Sequence, residues 1–189
     1  MMNEECDELN NLDIKEYRIK HLSFFLKNKY KTLLDISCGD CKYLKYWKWK
    51  GFDVSGTEYD EIKIQNCKNF NIPCEKLDLN NKNLKINRED NSVNVVTCTE
   101  VLEHITEPKK VVSEMIRVAS DVVLITTPVF KSFWSDEHIN IWETASKLIN
   151  EIIDEKHKDE IEIICDVIVT KPEDWALNQR SFILALYKK

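Results

Sequence analysis

The chain has 189 residues and carries 27 Lys and Arg against 33 Asp and Glu, a formal net charge of −6. That length suits one domain with one sizeable core, and the acidic balance argues against nucleic acid as a partner. The start, Met1-Met2-Asn3-Glu4-Glu5, has neither a basic region nor an apolar core for export, and no apolar run approaches the roughly 20 residues of a membrane span, so a cytoplasmic protein is expected.

Residues 1–13 are acidic and read as a mobile N-terminus, followed by a single domain over 14–189. A helical stretch near Ile14 to Asn28 offers Tyr17, Leu22, Phe24 and Phe25 as apolar surface. Regular units then begin: a short apolar strand from Thr32 to Ile36, a helix from Lys42 to Lys50 stopped by Gly51, and a strand from Phe52 to Thr57. A helix follows from Asp60, its cap, to Asn69, with a third strand from Cys74 to Leu79 and a fourth from Val93 to Cys98. Pro108 opens a helix to Val118, and Pro128 stops a fifth strand that begins at Val122. The tail reads as a helix from about Ile141 to Lys156 and two strands, Ile161 to Val169 and Ser181 to Tyr187, close enough to pair as an antiparallel hairpin. This alternation predicts an α/β fold, Rossmann-like and doubly wound, with a mostly parallel seven-stranded sheet.

In such a sheet, ligands bind beyond the carboxyl ends of the strands, where strand order reverses. The first strand ends in Asp35-Ile36-Ser37-Cys38-Gly39-Asp40-Cys41, and Glu58, 23 residues beyond Asp35, stands at the tip of the second. A carboxylate there can accept both hydroxyls of a ribose. Asp78 at the end of the third strand could take the amino group of an adenine. After the fourth strand, Glu100-Val101-Leu102-Glu103-His104 sets two carboxylates and an imidazole at i, i+3 and i+4, one face of a helix. Those groups begin a divalent metal site that would orient a pair of hydroxyls, and His138 in Glu137-His138-Ile139-Asn140 is the candidate for a further ligand. Each has a plainer alternative: acids favour a helix start, and His138 could simply precede a helix.

From about Thr32 to Tyr187 the chain resembles the class I S-adenosylmethionine-dependent methyltransferases, on the residues "LLDISCGDC", Glu58, Asp78 and "VLEHITEP". The motif "EVLEH" with a later histidine is similar to two metal-dependent groups, the ubiquinone-pathway O-methyltransferases and the small-RNA-terminal 2′-O-methyltransferases. The resemblance implies S-adenosylmethionine as cofactor, held by Asp35, Ser37, Cys38, Gly39, Glu58, Tyr59, Asp78, Leu79, Cys98 and Thr99. It also implies a metal, Mg or Mn, on Glu100, Glu103, His104 and His138, with His104 or His138 able to act as base. Ser37 and Cys41 occupy positions where that family has Gly. A positive φ at Ser37 would cost on the order of 1 kcal/mol.

The seven cysteines, an odd number scattered through apparent core segments, read as reduced thiols. Cys38-Gly39-Asp40-Cys41 also fits a thioredoxin-type redox pair, but the further strand-helix units argue against that layout. A zinc site built of two such pairs lacks its second half in the sequence. The helix "CKYLKYWKWK" interleaves Lys with aromatics, and Leu44 and Trp47 are expected to pack on the sheet with the lysines in water. The expected function is O-methylation, assisted by a divalent metal, of a vicinal-hydroxyl substrate such as a sugar, glycan or small diol. The alternatives are an RNA 3′-terminal 2′-O-methyltransferase, which the acidic charge disfavours, and a catalytically weak cofactor-binding partner protein.

Overall fold

The computed structural model of the chain describes residues 15–129, 137–169 and 180–189; the acidic segment read as a mobile N-terminus lies outside them. In chain order the elements are α1 (Lys15–Ser23), β1 (Thr32–Ile36), α2 (Lys42–Trp49), β2 (Asp53–Glu58), α3 (Glu61–Asn69) and β3 (Cys74–Lys76). Then come β4 (Val93–Thr99), α4 (Pro108–Val118), β5 (Ala119–Pro128), α5 (Ala145–Ile152), β6 (Ile161–Val169) and β7 (Arg180–Lys188). The seven strands form one sheet in the order β3-β2-β1-β4-β5-β7-β6. The first five are mutually parallel, and β7 runs antiparallel to both β5 and β6. Strand order reverses between β1 and β4, which places the ligand crevice at their carboxyl ends.

Both faces of the central strands are covered, so they read as continuous apolar runs and not as alternating ones. Successive residues still point to opposite faces: Leu34 and Val96 join a core with Met115 and Ile116 of α4, while Leu33 and Val95 join one with Leu44 and Trp47 of α2. Leu44 and Trp47 are thus the buried residues of α2, as its spacing predicts. Burying a side chain of this size contributes roughly 1.5–3 kcal/mol, so these two cores clamp the sheet. The Asp60 carboxylate accepts from the N–H groups of Ile62 and Lys63 and starts α3 as expected.

Apart from shifted ends, such as the first helix stopping at Ser23 and not near Asn28 and β5 starting at Ala119 and not Val122, three elements differ from the sequence reading. β3 stops at Lys76, which leaves Asp78 exposed and turned onto its own loop, where its carboxylate accepts from the Asn80 N–H at 2.9 Å. The helix read from Ile141 to Lys156 is cut to α5, because the Thr144 hydroxyl caps it at the Lys147 N–H and Ile153 is extended. Trp142 is instead buried in a bridge to Val129, and its indole N–H donates to Glu151 at 2.8 Å. Finally, residues 100–104 do not form an α-helix. Glu100 has φ 54° with its N–H donated to the Thr126 carbonyl, and only Leu102–His104 turns, as a 3₁₀ segment. Pairing with β5 persists to Glu100, and the chain then has seven residues to reach α4. Among the described residues no helix is long and apolar enough to cross a membrane.

Candidate functional site

At the end of β1 the backbone makes a run of left-handed turns: Ser37, Gly39 and Cys41 have φ of 58°, 56° and 59°. The two non-glycine residues each pay on the order of 1 kcal/mol for this, so something must hold the loop in place. Glu58 at the tip of β2 supplies part of that hold. Its carboxylate is buried and accepts from the N–H groups of Gly39 at 2.9 Å, Tyr59 at 2.8 Å and Asp60 at 3.1 Å. Asp35, buried on β1, accepts from the Thr97 hydroxyl at 2.6 Å. Burial pushes its carboxyl up to about 7, against the Thr97 hydrogen bond and with a smaller contribution from Glu58. A buried carboxyl in this state is suited to pairing with a cationic group of a ligand. Cys98 is buried on β4, Thr99 ends that strand, and Leu79 is buried in the core with Ile36, whereas Tyr59 is largely exposed. These residues fit a nucleoside-containing sulfonium cofactor: one strand end offers a carboxylate for the ribose and its neighbour one for a cation.

Glu103, His104 and His138 meet beyond the end of β4, each offering one ligand atom within 4.8 Å of the others. Glu103 is buried, with one oxygen accepting from the Thr127 hydroxyl at 3.1 Å and the other 3.8 Å from His104 Nε2. Burial, and then the neighbouring Glu100, raises its carboxyl to about 8. His104 Nδ1 lies 3.0 Å from the Glu137 carbonyl, and as that oxygen can only accept, Nδ1 carries a proton and Nε2 is the nitrogen that offers a lone pair in the neutral ring. Two imidazoles and a buried carboxylate are a donor set that fits a divalent cation. Glu100 faces elsewhere: one oxygen pairs with Arg18 of α1 at 3.1 Å and the other is buried without a hydrogen-bond partner among the described residues.

Sequence reasoning missed the residues that hold His138 in place. The N–H groups of Ile139 and Asn140 both donate to the Glu103 carbonyl, at 2.9 and 3.0 Å. The Asn140 amide donates to the carbonyls of Leu102 and Ile105 at 2.9 and 2.7 Å, tying the segment that carries His138 to the start of the 3₁₀ turn and to the residue that follows it. Asn140 stands two residues past His138, and nothing in the sequence marks it as the pin. Arg18 was likewise invisible, since the contact joins residues 82 apart.

The cysteines overturn the expectation of scattered reduced thiols. Cys38, Cys41, Cys67 and Cys74 converge beneath the loop after β1, and Cys41 and Cys67 are joined as a disulfide. The other two are thiols: Cys38 is held well above its ordinary range, mainly through its hydrogen bond to Cys74, and the same bond lowers Cys74. Parallel pairing of β1, β2 and β3 brings the four together, which one-dimensional spacing does not reveal.

Residues 21–144 match the family model described as methionine biosynthesis protein MetW. No curated protein matches the chain. Among solved structures, it is similar to an S-adenosylmethionine-dependent methyltransferase from Mesorhizobium loti, with 10% identity over 95% of this chain and 100% of that one and a TM-score of 0.71. A second, from Aquifex aeolicus, has 17% identity over 97% and 96% of the two chains and a TM-score of 0.65. The plantazolicin methyltransferase BpumL, solved with S-adenosylhomocysteine, has 13% identity over 99% and 90% and a TM-score of 0.67. At such identities the likeness is one of fold.

Proposed function

The chain belongs to the family described as methionine biosynthesis protein MetW, and from that premise we propose that it moves a methyl group from S-adenosylmethionine to a hydroxyl oxygen of a small vicinal diol, sugar or glycan, with Mg or Mn on Glu103, His104 and His138. One observation supports this reading above the others. The three metal-binding side chains gather at the carboxyl end of β4, which pairs with β1 and therefore lies beside the loop that would hold the cofactor.

Methyl transfer from a sulfonium is an in-line displacement that asks little acid-base power and much alignment. A divalent ion bound here would fix two adjacent hydroxyls and lower the pKa of the one that attacks. Glu103, too deeply buried to carry its charge alone, would hold the cation through its carboxylate. His104 presents Nε2, because Nδ1 is committed to the Glu137 carbonyl. Where one of His104 and His138 leaves the ion to the other ligands, its imidazole would accept the hydroxyl proton. On the cofactor side, Glu58 receives the ribose hydroxyls while bracing Gly39, and Asp35 offers its charge to the amino group.

A partner role without turnover is the second reading, favoured by Ser37 and Cys41 standing in left-handed positions where the resembled pattern has glycine. Calorimetry with S-adenosylmethionine, followed by transfer of a labelled methyl group to a panel of sugars and catechols with Mg, Mn or a chelator, separates the two. Cofactor binding with chelator-sensitive labelling of a vicinal diol supports the methyltransferase; binding without labelling of any acceptor supports the partner.

A further inference from the structure

We propose that Cys38, Cys41, Cys67 and Cys74 hold a zinc ion as a tetrathiolate in the reduced chain. The spacing around Cys38 suits such a site: its Sγ lies 3.7 Å from Cys41 Sγ, 3.7 Å from Cys67 Sγ and 3.6 Å from Cys74 Sγ. Zn–S bonds of about 2.3 Å at tetrahedral angles set the sulfurs about 3.8 Å apart, so three of the six edges have the length zinc requires. The second half that the sequence lacked is supplied by Cys67 in the last turn of α3 and Cys74 at the first residue of β3. Their spacing of six intervening residues is outside the usual pair pattern, and only the pairing of β3 with β2 brings them under Cys38.

The surroundings are shaped for the sulfurs. A side chain at Gly56 of β2 would place its Cβ 2.6 Å from Cys38 Sγ, so only glycine admits the cluster there. Cys41 and Cys67 are fully buried and Cys38 nearly so, which keeps competing water out, while half-buried Cys74 faces the way in. Such a tie would also do what the loop needs. It fastens Cys38 and Cys41, on either side of Gly39, to α3 and β3, and so offsets the cost of left-handed Ser37 and Cys41.

The structure holds Cys41 and Cys67 as a disulfide, so two of the four sulfurs must be reduced before they can bind a metal. Two molecules of a monothiol of the glutathione class reduce that bond, giving two cysteine thiols and leaving as their own disulfide. Zinc then forms four Zn–S bonds as four S–H bonds break, and the four protons pass to solvent. No net oxidation accompanies the metal step.

The test is metal content of the whole chain, purified under reducing conditions from zinc-supplemented growth, together with cobalt titration of the reduced, metal-free wild type. About one zinc per chain is expected, the charge-transfer bands of cobalt bound to four thiolates, and a several-fold lower zinc content in Cys74→Ser. His138→Ala is expected to keep the zinc and the bands, because the Glu103, His104 and His138 group contains no sulfur. Cobalt bands from fewer than four thiolates, or unchanged zinc content in Cys74→Ser, would overturn the proposal. The cobalt titration decides it even where the cysteine variant does not fold.

Discussion

His138 stands edge-on to His104, with ring centroids 4.7 Å apart and planes at 72°, although 34 residues separate them in the chain. The contact is built by Asn140, whose amide bridges the carbonyls of Leu102 and Ile105 and so fixes the strand of chain that carries His138 onto the turn that carries His104. Asn140→Ala removes two hydrogen bonds; the Leu102 carbonyl keeps the Ile105 N–H as a donor, and the Ile105 carbonyl loses its Asn140 donor at a cost of about 1–3 kcal/mol. Denaturant unfolding should show that loss. Methyl transfer should suffer more than stability does, through weaker metal binding once His138 is no longer held beside His104, and wild-type metal affinity in this variant would contradict the positioning role.

Glu58 serves two partners in this account, the ribose and the Gly39 N–H. Glu58→Ala should weaken S-adenosylmethionine binding by about 1–3 kcal/mol, the range for losing charge-assisted acceptors. Glu58→Gln keeps an acceptor oxygen for Gly39 and should lose less. Calorimetry measures both, and unchanged affinity in a folded Glu58→Ala protein would remove Glu58 from the site.

Asp35 gives a pH signature with a defined sign. Its carboxyl rises from the ordinary 3.8 to about 7 in the folded chain, first through burial. Between those values the folded state binds a proton that the unfolded state releases, so stability falls as pH rises through this window and levels off above it. The slope from one such group is at most about 1.4 kcal/mol per pH unit. Glu103, raised to about 8, adds a slope of the same sign, so the informative quantity is the difference between wild type and Asp35→Asn. The wild-type stability curve should fall more steeply than that of Asp35→Asn between about pH 4 and 7. Parallel curves would show that Asp35 is ionised throughout.

How much of this was legible in the sequence depended on whether the signal was local. The Asp60 cap, the buried pair Leu44 and Trp47 and the parallel order all follow from spacing within one element or from strand-helix alternation, and all are present. The approach of His138 to His104 followed from topology alone, because adjacent parallel strands end side by side. The helical face expected for Glu100, Glu103 and His104 did not form, since Glu100 keeps its backbone bond to β5 and turns its carboxylate to Arg18. The cysteine cluster was hidden for a related reason: Cys38 and Cys74 are 36 residues apart and meet only across three strands.

The central claim is tested most directly by titrating Mn2+ into the reduced chain in the presence of S-adenosylhomocysteine and measuring the heat of binding. Manganese is chosen because it prefers oxygen ligands to thiolate, so the cysteine cluster does not compete for it. The account predicts about one manganese site per chain, weakened at least about tenfold in His104→Ala and in His138→Ala while cofactor-product binding persists in both. No manganese binding by the wild type, or binding indifferent to both histidines, would contradict it.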